Sequence, residues 1–581
     1  MRKALLLFVF LIILFSVFIE FFHPLNAITQ DLGRHIKMGE ITVNTHSVSK
    51  INLFSYTYPN FKTINTHWFS EVVFYVFYKL SGFGGLLILT TVIALFAVFM
   101  ILTFSKKNAL PIPLAMSAFL YLGILSERTD LRPEIFSLFF LSLFVTILYK
   151  QKEKFTKLIF ILPFIELLWV NMHIYFIVGV FLIFLFLLDN LLKERERIKK
   201  SILGKKPLPK ETLYLLCVGA FSILAAFVNP YGAKAALYPF FVFSNYGYPI
   251  EENQTIFFLQ SLFFKPTILF FEIIVVVLFA LLFINARKTK FIDWLIVLSF
   301  SVIAFLAERN LVLFVFATFI PFSKYLSNTY TLVFSKINPV YLKSIFTILI
   351  IGAFIWESMF FIAKDGFGFK VPKGAGGGAD FFLSKNLHGP IFNGFDIGSY
   401  LDYRLYPKTR VFVDGRPEAY PSSFFTNIYM PMQEDPSVFK KIDQKYGFNT
   451  IFFDHIDQTP WASQFLRQIV QDPLWRTVYL DDSVIILVKN NSLNKDISGP
   501  SLNDDNFNLP KESLKDKRAL FQFLHFFLIV GWSNQETKVL YQLLSLDPND
   551  CIALYNLATL SKDSNLQNLY LYKYQKSCKG D

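Results

Sequence analysis

Acidic, basic and histidine side chains lie close together in two stretches near the N-terminus. In DLGRH, Asp31 and His35 are four residues apart, and in HWFSE, His67 and Glu71 have the same spacing. Residues four apart share one face of a helix. A carboxylate beside an imidazole suits a general base, and carboxylates also bind hard metal ions. Each pair therefore predicts a base or a cation site. A helix-dipole contact by Asp31, and histidines that only satisfy backbone polar groups, are the structural alternative.

Three arginines and a further histidine occur where apolar segments end. Arg128 and Arg132 lie in SERTDLRPE, Arg309 in AERN and His173 in WVNMHIY. A guanidinium at such a position can hold two phosphate oxygens at once, or it can simply extend toward lipid headgroups. We expect these four residues to contact substrate together with His35, His67 and Glu71. Glu127 and Asp130 flank the first two arginines and could neutralise them.

The elements that must position these groups are membrane helices. The chain has 581 residues, 54% of them hydrophobic, with 71 Phe and a mean hydropathy of +0.45. Such a composition excludes a soluble globule, and about 20 apolar residues are needed to cross a bilayer. The sequence predicts about eleven transmembrane helices, near residues 4–22, 84–104, 110–125, 135–149, 158–170, 174–188, 211–228, 267–284, 291–307, 311–323 and 344–363.

The distribution of basic residues predicts the orientation of these helices. Starting with the N-terminus inside, one set of alternate segments holds 22 Lys and Arg in 64 residues, and the opposite set holds 10 in 114. Basic loops stay in the cytoplasm. Every candidate site residue, and everything after residue 364, is therefore expected on the outer face. The net charge of +13 reflects this topology, and we do not expect nucleic-acid binding.

The residues after the last apolar segment read as two outer units. A flexible KGAGGGAD (373–380) precedes predicted strands in GPIFN, TRVFVD, NTIFFD, TVYLD and SVIILVK, with helices near 436–444 and 461–470. We predict a membrane domain at 1–363, an α/β domain at 364–490, a polar linker at 491–512 and a helical tail at 513–581. The tail resembles a tetratricopeptide repeat and could dock a protein partner. Cys551 and Cys578 could pair if that compartment is oxidising.

Polar groups near the predicted strand ends form a second candidate site. Asn393, Asp396, Asp414 and Arg416 could bind a ligand there or act as caps. Glu251 and Glu252, in the loop after NPYG, are either a solvated face or contacts to an acceptor.

DLGRHIKMG, THWFSE, LRPEIFS, WVNMHIY, NPYG and VFVDGR together resemble a group of bacterial membrane proteins that share these segments. Over about residues 1–490 the arrangement also resembles the GT-C superfamily of polytopic membrane glycosyltransferases. That superfamily includes oligosaccharyltransferases, protein O-mannosyltransferases and the transferases that add aminoarabinose to lipid A.

The resemblance implies a GT-C fold in a bacterial inner membrane, with the N-terminus cytoplasmic. It implies a hexosyl or pentosyl transfer from a polyprenyl-phosphate sugar to a lipid, glycan or protein acceptor. Asp31 takes the role of base, and Asp31 with Glu71 could hold a divalent cation such as Mg²⁺ or Mn²⁺. The sequence departs from the oligosaccharyltransferases, because Asp31 has no acidic neighbour and no WWD-type motif follows. Protein N-glycosylation is therefore disfavoured.

Two other classes of function fit parts of the sequence. A transporter or flippase for a lipid-linked or sugar substrate would explain many helices with polar groups, but it needs no outer α/β domain. A non-catalytic scaffold would use the helical tail and leave the first-loop pairs unexplained.

Overall fold

The computed structural model describes residues 2–25, 31–203, 207–241, 246–334, 339–369, 374–497 and 501–579. Residues 26–30, which lead into Asp31, lie outside these ranges, as do Lys373 of the predicted flexible segment and 498–500 of the predicted linker.

Helices form at all eleven predicted membrane positions. Seven helices in the described part of the chain are long and apolar enough to cross a membrane. They are α1 (Arg2–Phe21), α3 (Trp68–Ser105), α5 (Glu134–Glu153), α7 (Phe176–Lys193), α12 (Pro266–Ile284), α14 (Leu311–Phe334) and α15 (Pro339–Asp365). Four apolar helices are shorter: α4 (Pro111–Leu125), α6 (Leu162–Met172), α9 (Lys210–Ala226) and α13 (Phe291–Leu306). The count of eleven crossings stays a prediction.

Short helices occupy several connections between these elements. They are α2 (Leu32–Thr45), α8 (Arg195–Ile202), α10 (Ala233–Leu237) and α11 (Ile256–Leu262). The predicted helix at DLGRHIKMG is α2, with Asp31 at its N-terminal boundary. HWFSE lies at the start of α3, which loses helical geometry at Ser81 and Gly82 before its apolar part begins.

A small mixed sheet forms the core of the C-terminal unit. Its strands are β1 (Ile391–Asn393), β2 (Thr450–Asp454), β3 (Trp475–Leu480) and β4 (Val484–Lys489), in the order β1-β2-β4-β3, and only β1 and β2 are parallel. Its helices are α16 (Gly374–Ser384), α17 (Phe395–Leu405), α18 (Ser422–Phe424), α19 (Pro431–Glu434), α20 (Pro436–Tyr446) and α21 (Pro460–Ile469).

Two expectations for this unit are wrong. TRVFVD forms no strand, because Val411 bridges Ser55 of the predicted first outer loop (residues 23–83) and the side chain of Asn393 bonds the backbone of Phe412 and Val413. KGAGGGAD is not a flexible linker, because residues from Gly374 onward are helical. Ala379 and Phe382 of this helix are buried in the core that includes Val484.

The tail consists of four helices that pack in chain order: α22 (Lys517–Val530), α23 (Ser533–Leu546), α24 (Cys551–Leu560) and α25 (Ser564–Tyr574). A disulfide joins Cys551 and Cys578, which confirms the predicted pairing.

The first outer loop is packed onto the C-terminal unit. Met38 and Phe54 are buried in one apolar cluster with Ile391 and Leu401. The Tyr56 hydroxyl donates to the carbonyl of Ile391 at 2.7 Å. This packing brings the VDGR segment to the cavity that Arg128, His173 and Arg309 also line.

Candidate active site

A polar cavity of about 150 Å³ lies where the first outer loop, the helix ends and the C-terminal unit meet. Seven of the eight predicted site residues line it: Asp31, His35, His67, Arg128, Arg132, His173 and Arg309. The eighth, Glu71, lies directly behind it, where its carboxylate contacts His35. The structure therefore brings the whole predicted set together, although its members come from five separate segments of the chain.

Asp31 enters the cavity from the start of α2. Its Oδ1 lies 3.3 Å from the Arg34 guanidinium and accepts a hydrogen bond from the Ser399 hydroxyl at 3.1 Å. Burial alone would raise the pKa of Asp31, but Arg34, His35, Arg132 and the Ser399 hydroxyl outweigh it and lower this pKa to about 2. Asp31 is therefore ionised at neutral pH and is available to accept a proton.

The expected pairing within each sequence motif is wrong, because His35 of the first motif pairs with Glu71 of the second. His35 Nδ1 lies 2.9 Å from Glu71 Oε1, whereas Asp31 pairs with Arg34. The cause is the close packing of α2 on α3: a Cβ at Gly39 would lie 2.0 Å from the carbonyl oxygen of Glu71. Only glycine permits that contact, which places Glu71 beside His35.

The partners of His35 and Glu71 fix the ionisation of His35. Glu71 is fully buried and accepts a hydrogen bond from Asn65 Nδ2 at 2.6 Å. Burial and the Arg34 charge lower the pKa of His35 against the opposing effect of Glu71. His35 is neutral at physiological pH, and Glu71 orients it.

Three histidine rings form a row along one wall. The ring centroids of His35 and His67 are 5.6 Å apart, and those of His67 and His173 are 5.1 Å apart. His173 Nδ1 lies 2.8 Å from the Ser137 hydroxyl. Burial, followed by neighbouring histidine and arginine groups, lowers the pKa values of His67 and His173 well below the usual value. The three neutral histidine rings therefore offer hydrogen-bonding groups to the cavity and add no charge to it.

The three arginines form a cationic part of the cavity lining, called the arginine wall below. Arg128 donates to Glu252 at 2.5 Å and to Glu134 at 2.6 Å, and Arg132 donates to the same Glu252 oxygen at 2.7 Å. Arg309 donates to Asn253 at 3.0 Å and to the Tyr175 hydroxyl at 3.1 Å.

The flanking carboxylate of Glu127 does not neutralise these arginines. It accepts from Thr267 at 2.6 Å and pairs with Lys265 at 3.3 Å. The carboxylates that pair with them are Glu252, from a distant loop, for both Arg128 and Arg132, and Glu134 for Arg128.

Sequence reasoning missed part of this cavity. The sequence motifs predict no role in the site for Arg34 or for Asn65. Glu252 and Arg416 were noted but were not placed among the site residues, although both line the cavity. Arg416 is held by Asp414 at 2.6 Å and by Asn52 at 2.8 Å. The EEN and VDGR motifs did indicate chemistry, but only the tertiary structure shows which cavity they face.

An apolar groove of about 360 Å³ adjoins the polar cavity. Ile174 and Arg309 line both, and the groove continues along α7 and α14 past Ile177, Phe181 and Leu313. The guanidinium group of Arg309 therefore lies where the polar cavity meets the apolar groove. That arrangement fits an amphiphile with an anionic head.

Asp31 and Glu71 do not fit a shared divalent cation. The Arg34 guanidinium already contacts both, at 3.3 Å from Asp31 and 3.7 Å from Glu71. It supplies the positive charge that a metal ion would bring, so we derive no step through a metal at these residues.

Comparison with solved structures identifies the fold. No protein-family model and no curated protein sequence matches the chain. The archaeal oligosaccharyltransferase AglB from Archaeoglobus fulgidus, in complex with an inhibitory peptide and a dolichol-phosphate, is similar with a TM-score of 0.56 and 12% identity, over 94% of this chain and 86% of AglB. ArnT from Cupriavidus metallidurans in the apo state is similar with a TM-score of 0.50 and 12% identity, over 86% of this chain and 99% of ArnT.

These likenesses define the class of architecture. The chain has a GT-C-like membrane architecture, which confirms the architectural resemblance inferred from its motifs.

Proposed function

We propose that this chain transfers a sugar from a polyprenyl-phosphate donor to an acceptor hydroxyl on a lipid, glycan or protein, with Asp31 as general base. The observation that carries the proposal is the position of Arg309, which belongs both to the polar cavity and to the apolar groove. A lipid phosphate would place its anionic head at Arg309 and its hydrocarbon chain along α7 and α14. AglB was solved with a dolichol-phosphate, and that class of lipid suits this groove.

The proposed reaction is a displacement at the anomeric carbon. The acceptor oxygen forms the new bond to that carbon while the bond to the phosphate oxygen breaks. The acceptor proton passes to Asp31, and the polyprenyl phosphate leaves with the bonding electron pair. Arg128, Arg132 and Arg309 stabilise the charge that develops on the phosphate.

Donor binding itself would adjust the basicity of Asp31. The low pKa of Asp31 arises from nearby cations, which makes it a weak base in the free protein. An anionic phosphate beside Arg132 offsets part of that positive field and raises the pKa of Asp31. The base therefore becomes stronger when the donor is present.

The proposed location in the cell follows from the orientation that the basic residues of the loops predict. The N-terminus lies in the cytoplasm of a bacterial cell, and the cavity and the α/β domain (364–490) lie on the outer face of its inner membrane. The membrane domain ends near residue 363. The linker 491–512 carries the helical tail 513–581, which is available to a protein partner.

A transfer assay in proteoliposomes tests the role of Asp31. Labelled polyprenyl-phosphate sugars are supplied with candidate acceptors, and Asp31→Asn is compared with wild type and with Glu40→Gln, a carboxylate on α2 outside the cavity. We expect Asp31→Asn to lose about 10²–10⁴-fold in rate while melting temperature and polyprenyl-phosphate binding are retained. Glu40→Gln should match wild type.

Two results would contradict the proposal. If the Asp31→Asn variant transfers sugar at the wild-type rate, Asp31 is not the base. Movement of the lipid-linked sugar across the bilayer without any transfer product assigns the chain to the transporter class.

A further inference from the structure

Three aspartates of the C-terminal unit meet at one edge of the sheet. Asp454 ends β2, Asp457 follows three residues later, and Asp396 lies in the first turn of α17, directly after β1. Because β1 and β2 are parallel neighbours, their C-terminal ends lie side by side. One carboxylate oxygen from each residue lies within 4.8 Å of the others.

Two of these carboxylates are buried and incompletely partnered. Asp454 is 1% exposed and Asp457 is 5% exposed. Asp454 Oδ1 and Asp457 Oδ2 accept no hydrogen bond from the part of the chain that the structure describes. Within those same residues, none of the three aspartates forms an ion pair. Buried carboxylates without partners are costly, and three together also repel one another, so a positive ligand would stabilise the cluster.

The backbone around the cluster is shaped to hold the carboxylates in place. A Cβ at Gly394 would lie 1.9 Å from Asp454 Oδ1, so only glycine leaves room for that oxygen. The backbone N–H of Thr459 donates to Asp457 Oδ1 at 2.8 Å. This bond fixes the Asp457 side chain and leaves Oδ2 free for a ligand.

We propose that Asp396, Asp454 and Asp457 bind a hard divalent cation, and that the cation is Ca²⁺. Carboxylate oxygens are the ligands that such ions prefer. Calcium accepts six to eight oxygens in flexible geometry, whereas magnesium retains several waters and uses only one or two carboxylates. Three carboxylates, with Asp396 exposed so that water can complete the shell, therefore match calcium better.

The cation would fix segments that surround the candidate active site. Asp396 lines a cavity of about 470 Å³ that shares Asp31 and Glu252 with the polar cavity. The ring of Tyr248, from the loop that carries Glu252, stacks on Phe395 at 4.2 Å. The helix α17 that begins there also carries Ser399, which bonds Asp31. Calcium at the cluster would thus lock α17, β2 and this loop together.

Calcium binding can be measured without any transferase activity. The full-length chain in detergent is treated with a chelator, and its thermal unfolding is followed while Ca²⁺ or Mg²⁺ is titrated to about 10 mM, above the dissociation constants of about 0.1–1 mM that extracellular calcium sites show. We expect Ca²⁺ to raise the melting temperature by at least about 3 °C in a saturable manner, and Mg²⁺ to raise it less.

Two variants locate the effect. Asp454→Asn should lose the Ca²⁺ response and, in chelator, have a melting temperature close to that of wild type, because an amide replaces a carboxyl group of the same size. Asp496→Asn, at an exposed position of the segment 491–512 that follows this unit, should respond as wild type does. The proposal is overturned if Ca²⁺ leaves the wild-type melting temperature unchanged or if Asp454→Asn keeps the full response. A larger effect of Mg²⁺ overturns the assignment to calcium.

Discussion

At the scale of residues, the arginines of the cavity could bind an anionic ligand, but two of them already bind a carboxylate of the protein. Glu252 accepts hydrogen bonds from Arg128 and Arg132 through a single oxygen. Burial alone would raise the pKa of Glu252, but the arginines hold it well below its usual range. A donor phosphate must therefore share these two guanidinium groups with a permanently charged carboxylate.

Replacing Glu252 by Gln should strengthen the binding of polyprenyl phosphate. The change removes a competing negative charge and leaves the guanidinium donors available, so we expect about a tenfold lower Kd, the size of one charged hydrogen bond. Ligand-induced shifts of the melting temperature can measure it. Glu251→Gln is the matched control, and equal affinities in the two variants would contradict the phosphate role of the arginine wall.

The buried histidines predict a loss of stability in acid that involves His67. The pKa of His67 in the folded protein lies well below 6.5, its value in the unfolded chain. Between these two values the unfolded chain binds the extra proton, so the stabilising contribution of neutral His67 is present above pH 6.5 and is lost as pH falls.

His67→Gln should remove this pH dependence. The melting temperature of the variant relative to wild type should therefore rise as the pH is lowered from about 7.5 to about 5.5. A difference between the two proteins that does not change with pH would show that His67 is not buried in its neutral form.

At the scale of elements, the sequence predicts where helices and strands form but not which side chains contact one another. Positions of apolar helices, of α2 and of four strands follow from local periodicity. The pairing of His35 with Glu71 depends on how α2 packs on α3, and local spacing contains no such information. The strand predicted at TRVFVD is wrong for the same reason. The backbone of this segment bonds the side chain of Asn393 and the first outer loop instead of a neighbouring strand.

Gly39→Ala should destabilise the protein although alanine favours helices. The added Cβ would meet the Glu71 carbonyl oxygen at 2.0 Å, so α2 and α3 must separate. Gly352→Ala is the control, because a Cβ there meets nothing within 4 Å and should be neutral or stabilising by up to about 1 kcal/mol. Thermal unfolding compares the two, and equal effects would contradict the close packing of α2 on α3.

At the scale of the whole molecule, the loops that were assigned to one side by charge converge on one cavity. Asp31, Arg128, His173, Glu252 and Arg309 all come from the segments with few basic residues. Their convergence agrees with a single outer face. The apolar groove beside Arg309 could not be predicted, because its wall combines side chains from helices far apart in the chain.

The disulfide offers an independent test of that outer placement. Disulfides persist in oxidising compartments, so Cys551 and Cys578 should resist maleimide labelling in intact cells until a reductant is added. Cys217, a free thiol on α9, is the control, because its labelling in detergent should not depend on reductant. Labelling of Cys551 without reductant would contradict an outer C-terminal unit.

The most direct test of the central claim is a cryo-electron microscopy map of the chain with a bound polyprenyl phosphate. We expect phosphate density within hydrogen-bond distance of Arg309 and of Arg128 or Arg132, beside Asp31, with the lipid chain in the groove along Ile177 and Phe181. A lipid that binds elsewhere, or one whose phosphate points away from Asp31, would contradict it.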